Sequence, residues 1–296
     1  MLHRLVPLFF LLSACGPEDA LVDPTVSDRL SYTSPQRIRL LDYTDDVMEP
    51  FLTQDGQMLF FNNLNVPTVN TNLHYAGRVN DTTFHYLGEV PGANTNALEG
   101  VPSMDTAGNL YFISTRSYDQ TLSTLYKGVF QQDTLTEVQL ISGVSREQAG
   151  WVNFDAEVSP DGHQLYLVDG RFDADGGPYT ADIVLAEQMA GNFRRRADQS
   201  LLDEINTDAL EYAPAITADG RALYFTRVEA PLTPSSIPKI LVATRASTSK
   251  PFGTPQVISS DTVFAEAPTL SADGCTVYYH QKEGNRFVLY RMQKIP

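Results

Sequence analysis

A short motif that recurs five times constrains the fold of this 296-residue sequence more than any other feature. Each copy places an apolar stretch before a glycine-containing turn, and an apolar, aromatic stretch after it. The five glycines, Gly56, Gly108, Gly162, Gly220 and Gly274, are separated by 52, 54, 58 and 54 residues. Self-similarity at such a period is typical of repeat architectures, most often of β-propellers. We therefore predict an all-β fold, a five-bladed β-propeller with one blade for each repeat.

Each repeat contains the strands that a blade needs. In four of the five repeats the turn is Asp-Gly, where glycine accepts a positive φ, and the returning strand reads "LFF", "LYF", "LYL", "LYF" or "VYY". Third strands are predicted at residues 72–79, 124–130, 182–188, 239–245 and 287–293, and a more polar fourth strand follows the first four. The last repeat lacks a fourth strand. We expect "QRIRLLDY" (36–43) to supply it, which would close the ring and remove two open sheet edges.

The repeat pattern, roughly P-x-(L/I/V)-(S/T)-x-D-G-x-x-L-Y-F, resembles the WD40-like (PD40) repeat of the periplasmic TolB family and its relatives. The resemblance covers residues 36–296 and implies a propeller. No counterpart of the N-terminal α/β domain of TolB is expected, so the resemblance does not imply a role in the Tol system. Because many envelope lipoproteins of varied role carry this repeat, the resemblance implies a fold more than an activity.

The N-terminus predicts export and lipidation. Residues 1–14 combine a basic start with an apolar run, as in a secretory signal peptide. "LSAC", which ends at Cys15, resembles the lipobox of bacterial lipoproteins, and this implies cleavage before Cys15 and attachment of diacylglycerol to its sulfur. Residues 15–35 then form a flexible tether, and residues 36–296 form the propeller. Gly16 follows the cysteine in place of aspartate, which in this class favours the outer membrane; an ordinary secretory signal is the alternative.

The formal charge of −15 limits the partners. Nucleic acids and anionic lipid surfaces require a basic surface, so we expect no nucleic-acid partner and membrane contact only through the lipid anchor. The expected partner is an unidentified envelope protein or glycan, and we expect the chain to be a monomer.

Charged residues mark one predicted face of the propeller, because first and second strands are antiparallel. Acidic residues open every first strand: Glu49, Glu99, Asp155 (with Glu157), Glu211 and Glu266. Basic residues end four of the five second strands: Arg116, Arg171, Arg227 and Lys282. Two interpretations remain open. The charges either form ion pairs that hold the blades together, or surround a mouth that binds a sugar, a peptide end or a cation.

Three connections break the symmetry on that face. The loop at 143–155 carries Trp151, the one tryptophan, which could stack on a sugar or wedge between blades. Residues 197–211 are predicted to include a short helix over the mouth. Asp173, Asp175 and Asp182 are weak candidates for a calcium site, because the full EF-hand pattern is not met; otherwise no metal or other cofactor is expected.

Enzyme activity is the less favoured reading. The sequence has no G-x-S-x-G elbow, H-E-x-x-H motif or Walker loop. A glycoside hydrolase on this fold would need axial carboxylates, for which Glu49, Asp155 and Glu211 are the candidates. The sequence thus predicts a cell-envelope lipoprotein whose propeller is a binding or protein-interaction module, with a lipid-anchored glycoside hydrolase or a purely structural envelope scaffold as alternatives.

Overall fold

A computed structural model describes residues 30–66 and 69–295. Cys15, the predicted signal peptide and most of the predicted tether lie outside this part of the chain. The described residues form an all-β structure with one single-turn α-helix, α1 (Tyr118–Thr121), and one 3-10 helix (Ser200–Leu202). Within the described residues, no helix has the length and apolar character needed to cross a membrane.

The strands run through the whole of the described chain. They are β1 (Ser31–Tyr32), β2 (Gln36–Arg37), β3 (Arg39–Leu41), β4 (Met48–Leu52), β5 (Met58–Asn62), β6 (Leu73–Asn80), β7 (Thr83–Glu89), β8 (Glu99–Met104), β9 (Asn109–Ser114), β10 (Leu125–Gln131), β11 (Thr134–Leu140), β12 (Trp151–Val158), β13 (Gln164–Arg171), β14 (Ala181–Met189), β15 (Asn192–Arg195), β16 (Leu210–Ile216), β17 (Ala222–Val228), β18 (Lys239–Thr244), β19 (Gln256–Val257), β20 (Ala265–Leu270), β21 (Thr276–Glu283) and β22 (Arg286–Ile295).

These strands form four sheets, which contain five antiparallel meander units. Unit 1 is β4–β7, unit 2 is β8–β11, unit 3 is β12–β15, unit 4 is β16–β19 and unit 5 is β20–β22. Units 3 and 4 share one eight-stranded sheet through a single parallel bridge between Ala181 and Leu210. The third strand of every unit lies within two residues of its predicted position.

The repeated Asp-Gly turn is stabilised by its own side chains. In unit 1 the Thr53 hydroxyl donates to Asp55 Oδ1, at 2.6 Å, and the same carboxylate oxygen accepts the backbone N–H of Gln57, at 3.0 Å. Gly56 takes a φ of 67°, where a side chain would be strained. Units 3, 4 and 5 repeat these bonds, and in unit 2 Asp105 accepts the equivalent backbone N–H groups. The motif is therefore conserved within the chain because each turn closes locally.

The N-terminal stretch 36–43 departs from its prediction. It was expected to form one strand of the last unit, but only Gln36–Arg37 pairs with β22, beside the pairing of Ser31–Tyr32 with the same strand. Arg39–Leu41 instead pairs with β7 of unit 1, in parallel. Ile38 lies between the two and is 3% exposed, because it enters the apolar cluster between units 5 and 1. Burial of this one side chain divides the stretch between two sheets.

The core lies between neighbouring units. Five apolar clusters occur, and each joins residues of two units. The aromatic residues of the returning strands supply much of this core; Phe60, Tyr111, Tyr166 and Tyr224 are at most 2% exposed. A short helix over the mouth was predicted within 197–211; a 3-10 helix is present there, but its Leu201 and Leu202 are buried in the cluster between units 3 and 4. Face-to-face packing of the units thus brings residues of the first strands to one small cavity, and the line through this cavity is here called the axis.

Candidate functional site

Each first strand carries a β-bulge near its start. In units 1, 2, 4 and 5 a residue with φ between 48° and 56° precedes a proline in this bulge; these residues are Glu49, Val101, Ala213 and Ala267. A bulge re-aims the strand locally. All four residues line a small cavity on the axis of about 20 Å³, which has room for about one water molecule. Of these four positions, only that of unit 1 carries a charge, Glu49.

Unit 3 adds two more carboxyl groups to the axial cavity, those of Asp155 and Glu157. Asp155 Oδ2 accepts the backbone N–H of Ala213 at 2.9 Å, and Glu157 Oε2 accepts the hydroxyl of Ser103 at 2.7 Å. Burial raises the pKa of Asp155 to about 7 and the pKa of Glu157 to about 8. The three axial carboxyl groups cannot all be ionised near neutral pH without a compensating cation.

Glu49 is the most perturbed member of this group. Burial raises its pKa well above the usual range, and the charges of Asp155 and Glu266 raise it further. Within the described part of the chain, its carboxyl oxygens accept no hydrogen bond. Glu49 is therefore a carboxyl group with neither a donor nor a cation beside it.

Glu266 has two donors. Its Oε1 lies 2.9 Å from His280 Nε2, and the hydroxyl of Tyr212 donates to its Oε2 at 2.5 Å. The backbone N–H of Glu49 donates to His280 Nδ1 at 3.2 Å. Because a backbone N–H can only donate, Nδ1 carries no proton, and His280 is the neutral tautomer with its proton on Nε2. Glu266 is thus held by two neutral donors, and His280 brings no positive charge.

Glu49, Glu266 and His280 form a possible metal-ligand group, whose donor atoms lie within 4.8 Å of one another. In this arrangement both imidazole nitrogens are engaged: Nε2–H donates to Glu266, and Nδ1 accepts from Glu49. An imidazole ligand needs a free lone pair. The three side chains as arranged therefore do not fit a metal ion.

A larger pocket of about 460 Å³, here called the mouth pocket, opens over these acids. Glu49 and Glu266 line it, together with the aromatic side chains of Phe154, Tyr212 and Phe264. Leu232 and Pro238 from the loop after β17 add apolar wall, and residues of units 1, 3, 4 and 5 contribute. The pocket is therefore asymmetric, and among the described residues no lysine or arginine lines it.

Two of the predicted acids, Glu99 and Glu211, lie elsewhere. Glu99 Oε1 is 3.1 Å from Arg116 Nη2, and Glu211 Oε1 is 2.7 Å from Arg227 Nε. Both carboxylates also accept a backbone N–H and a hydroxyl, from Thr95 and Thr207 respectively. They are completely buried. Each acid thus pairs with a base of its own unit and ties down the preceding loop, whereas the ion-pair interpretation expected pairs between blades.

The other two predicted bases make no ion pair among the described residues. Arg171 Nη1 donates to the carbonyl of Phe172 at 2.8 Å, and Lys282 Nζ lies 5.8 Å from the centroid of the Phe287 ring. The nine predicted charges therefore do not form one ring around a mouth. Glu49, Asp155 and Glu266 meet at the axis, and the rest are divided among the units.

Trp151 is half-buried at the start of β12, and the guanidinium of Arg146 lies 3.8 Å from the centroid of its ring. Arg146 also pairs with Asp169 at 2.7 Å. The guanidinium of Arg146, held by Asp169, therefore already covers a face of the Trp151 ring.

The weak calcium candidates do not converge. Asp173 accepts the hydroxyl of Tyr179 at 2.9 Å and the backbone N–H of Asp175 at 2.8 Å, within an exposed turn. Asp182 lies on β14 opposite Asp169, and burial raises its pKa. Within residues 30–66 and 69–295, the group of three or more metal-ligating side chains is the one at Glu49, and it contains none of these aspartates.

Sequence reasoning missed four side chains of the site: Tyr212, His280, Phe154 and Phe264. His280 could have been noticed, because it is the one histidine at its position in the repeat. The equivalent residues of the other units are Asn62, Ile113, Val168 and Thr226. Tyr212 and Glu266 are 54 residues apart in sequence. Their contact depends on how unit 4 lies against unit 5, which no local pattern reveals.

No family model matches this sequence, and no curated protein matches it significantly. Solved structures do resemble it. A family 117 glycoside hydrolase produced by the marine bacterium Zobellia galactanivorans aligns with a TM-score of 0.54 and 13% identity over 90% of each chain. A protein assigned as TolB from Agrobacterium tumefaciens aligns with a TM-score of 0.50 and 12% identity, over 89% of this chain and 79% of that one.

A second TolB, from Acinetobacter baumannii, shares 15% identity over 84% of this chain with a TM-score of 0.47, and this chain spans about half of its length, 54%. At such low identities, the similar structures show the fold alone. The chain has an all-β fold of the propeller type.

Proposed function

We propose that this chain is a small-ligand-binding module of the bacterial cell envelope, and that the mouth pocket is its binding site. The observation that carries the proposal is the pocket itself: about 460 Å³, walled by aromatic and aliphatic side chains, with two converging carboxyl groups at its base. Such concave apolar sites with a few placed polar groups are where proteins bind small molecules. The axis below leaves only about 20 Å³, so a ligand would stop at the mouth.

The proposal includes a closed five-bladed ring as the scaffold. Three observations support it. The first strands contact one another in a cycle, β4 with β8, β8 with β12, β12 with β16, β16 with β20 and β20 with β4. Each pair of neighbouring units, including units 5 and 1, shares an apolar cluster. The segment 31–41 pairs with both the last and the first unit.

A screen for thermal stabilisation tests the binding proposal. The purified chain is heated with saccharides, short peptides, amines and envelope extracts; a ligand at 100 times its Kd should stabilise the fold by about 2.7 kcal/mol. Leu232→Arg should abolish the shift because it places a long side chain in the pocket wall. Val257→Arg, at a residue similarly exposed on β19, is the matched control and should keep it. A shift that survives Leu232→Arg would contradict the assignment of the mouth pocket.

The envelope location rests on the sequence, and lipidation at Cys15 is its test. Mass spectrometry of the N-terminal peptide from the native host should find diacylglycerol on Cys15, and Cys15→Ser should release the protein from membranes. A peptide in which Cys15 is joined to Cys275 by a disulfide bond would contradict lipidation.

A glycoside hydrolase is the second candidate, favoured by one observation. The carboxyl groups of Glu49 and Glu266 approach within 4.8 Å at the base of the pocket, and two carboxyl groups about 5 Å apart are the arrangement of retaining hydrolases. Glu49, with its raised pKa, would be the acid, and the hydrogen-bonded Glu266 the nucleophile. Glu211 has no part in this version, because it is paired with Arg227.

Chromogenic glycosides test the second candidate. A hydrolase predicts turnover that both Glu49→Gln and Glu266→Gln abolish. Binding of a saccharide without its cleavage would leave the binding module as the function.

A further inference from the structure

We infer that the mouth pocket recognises an organic cation: an ammonium group set between Glu49 and Glu266, with an apolar body against Phe154, Tyr212 and Phe264. This inference rests on the proposed function, since it names the chemical class of ligand for the same pocket.

The first argument is the uncompensated pair of carboxyl groups at the base of the pocket. Glu49 accepts no hydrogen bond within the described chain, and Glu266 is bound by the neutral donors His280 and Tyr212. The neighbouring acid Asp155 has only backbone N–H groups against it, that of Ala213 among them. A buried carboxylate without a cation is costly, so a positive charge placed here is strongly favoured.

The second argument is the chemistry of the wall. Phe154 and Tyr212 lie with their ring centroids 6.0 Å apart, and Phe264 packs edge-on against Phe287 at 5.5 Å. These contacts hold the rings in place. Aromatic faces attract ammonium groups and also cover an apolar body. Carboxylates together with several aromatic rings suit an ammonium ion better than a neutral molecule.

The third argument is what the pocket lacks. Apart from the two acids and the engaged Tyr212 hydroxyl, the polar lining groups are Asn65, Thr233 and Ser236. A sugar presents hydroxyl groups on every side, and each would need a partner on burial. A divalent metal ion does not fit either, because both nitrogens of His280 are engaged. A net charge of −15 also concentrates cations, rather than anions, at the surface.

Paired probes of similar shape and different charge test the inference. The purified chain is titrated by calorimetry with phenethylammonium, benzyltrimethylammonium and the uncharged 2-phenylethanol. We expect both cations to bind at least tenfold more tightly than the alcohol. Glu49→Gln should weaken both cations at least tenfold and leave the alcohol unchanged; no hydrogen bond to the Glu49 carboxyl is lost, so this variant should fold.

Glu147→Gln is the matched control. It removes the same charge from an exposed residue of the loop before β12, and should leave all three affinities unchanged. Equal binding of alcohol and cations, or an equal loss in Glu147→Gln, would overturn the inference.

Three further outcomes separate this inference from the function on which it rests. Binding of a neutral saccharide that Leu232→Arg abolishes, without binding of either ammonium ion, would overturn the organic cation and keep the binding module. Calcium or zinc that binds and displaces the ammonium probes would overturn it in favour of a metal site. If neither the probes nor the wider panel binds, both proposals fail.

Discussion

Two groups of acidic side chains lie near the start of the first strands, and they differ in whether a positive charge compensates the carboxylate. Glu99 and Glu211 each accept a guanidinium, a hydroxyl and a backbone N–H, and their carboxylates are fully compensated. Glu49 and Asp155 lie two positions closer to the turn, at or beside the bulge, and line the axis without a cation. On a regular strand an offset of two residues would keep a side chain on the same face, so the bulge is what separates an ion pair from an unpaired acid at the axis.

The comparison shows that the same residue type at almost the same position of a strand can either stabilise or destabilise the fold. Compensated acids hold a loop and a strand together. Uncompensated acids raise the free energy of the folded state when they ionise, a cost that proteins often accept where a ligand is to be bound.

The largest expected effect comes from breaking a compensated pair. Glu211→Gln should lower the free energy of unfolding by about 4 kcal/mol, because the partly buried Arg227 would be left without the fully buried carboxylate. Urea unfolding measures this. Replacing Glu211 and Arg227 together by methionine should cost much less, because neither charge is then left behind. A loss below about 1 kcal/mol in Glu211→Gln would show that this ion pair contributes little to stability.

The pH dependence of stability tests the uncompensated group. The folded-state pKa values of Asp155 (about 7) and Glu157 (about 8) lie above those of the unfolded chain, so the folded state binds these protons more tightly. Stability should therefore fall as the pH rises, by roughly 3 kcal/mol between pH 6.5 and pH 9.

Urea unfolding at the two pH values measures this change, and Glu157→Gln should flatten the profile. Stability that stays constant or rises over this range would contradict the assignment of raised pKa values to the axis.

Replacing a glutamate by glutamine at the axis should change the free energy of unfolding in the opposite direction to Glu211→Gln. Glu49→Gln should raise the free energy of unfolding by about 2 kcal/mol at pH 9, because it removes a carboxylate that ionises at a cost. This gain should shrink as the pH falls and the carboxyl group takes up its proton. Thermal unfolding of Glu49→Gln beside Glu211→Gln compares the two groups directly. Destabilisation of Glu49→Gln at pH 9 would place Glu49 with the compensated acids.

The smallest expected effect concerns the hydrogen bonds of Glu266. Tyr212→Phe keeps the ring and removes the hydroxyl donor, which should lower stability by about 1 kcal/mol. Chemical denaturation at neutral pH measures this loss. Unchanged stability would mean that the tyrosine hydroxyl contributes nothing to holding Glu266.

Features that close locally could be predicted from the sequence. Thr53, Asp55 and Gly56 form their turn with hydrogen bonds that span at most five residues, so the turn can be recognised from the sequence alone. The third strands followed from the turns by spacing. The stretch 36–43 could not be assigned in the same way, because Ile38 is buried by side chains from both ends of the chain.

The site was predictable only in part. Sequence reasoning grouped Glu49, Asp155 and Glu266 with Glu99 and Glu211 on one face, and the structure brings only the first three together. The bulges decide between the groups, and a one-residue bulge leaves no distinct trace in a strand pattern. Tyr212 was missed because it meets Glu266 only through the packing of unit 4 against unit 5, and His280 was missed although it is the direct cross-strand neighbour of Glu266 in one hairpin.

By itself, the sequence determined a chain of five β-units, each containing a self-closing turn between its first and second strands, because turn chemistry and strand alternation act over a few residues. The tertiary structure alone decided which acids pair, which face the axis, and where a pocket opens between units. The pairs form within a unit, but the axis and the pocket depend on strands that lie more than fifty residues apart, and a bulge is enough to turn a carboxylate from a guanidinium toward the site.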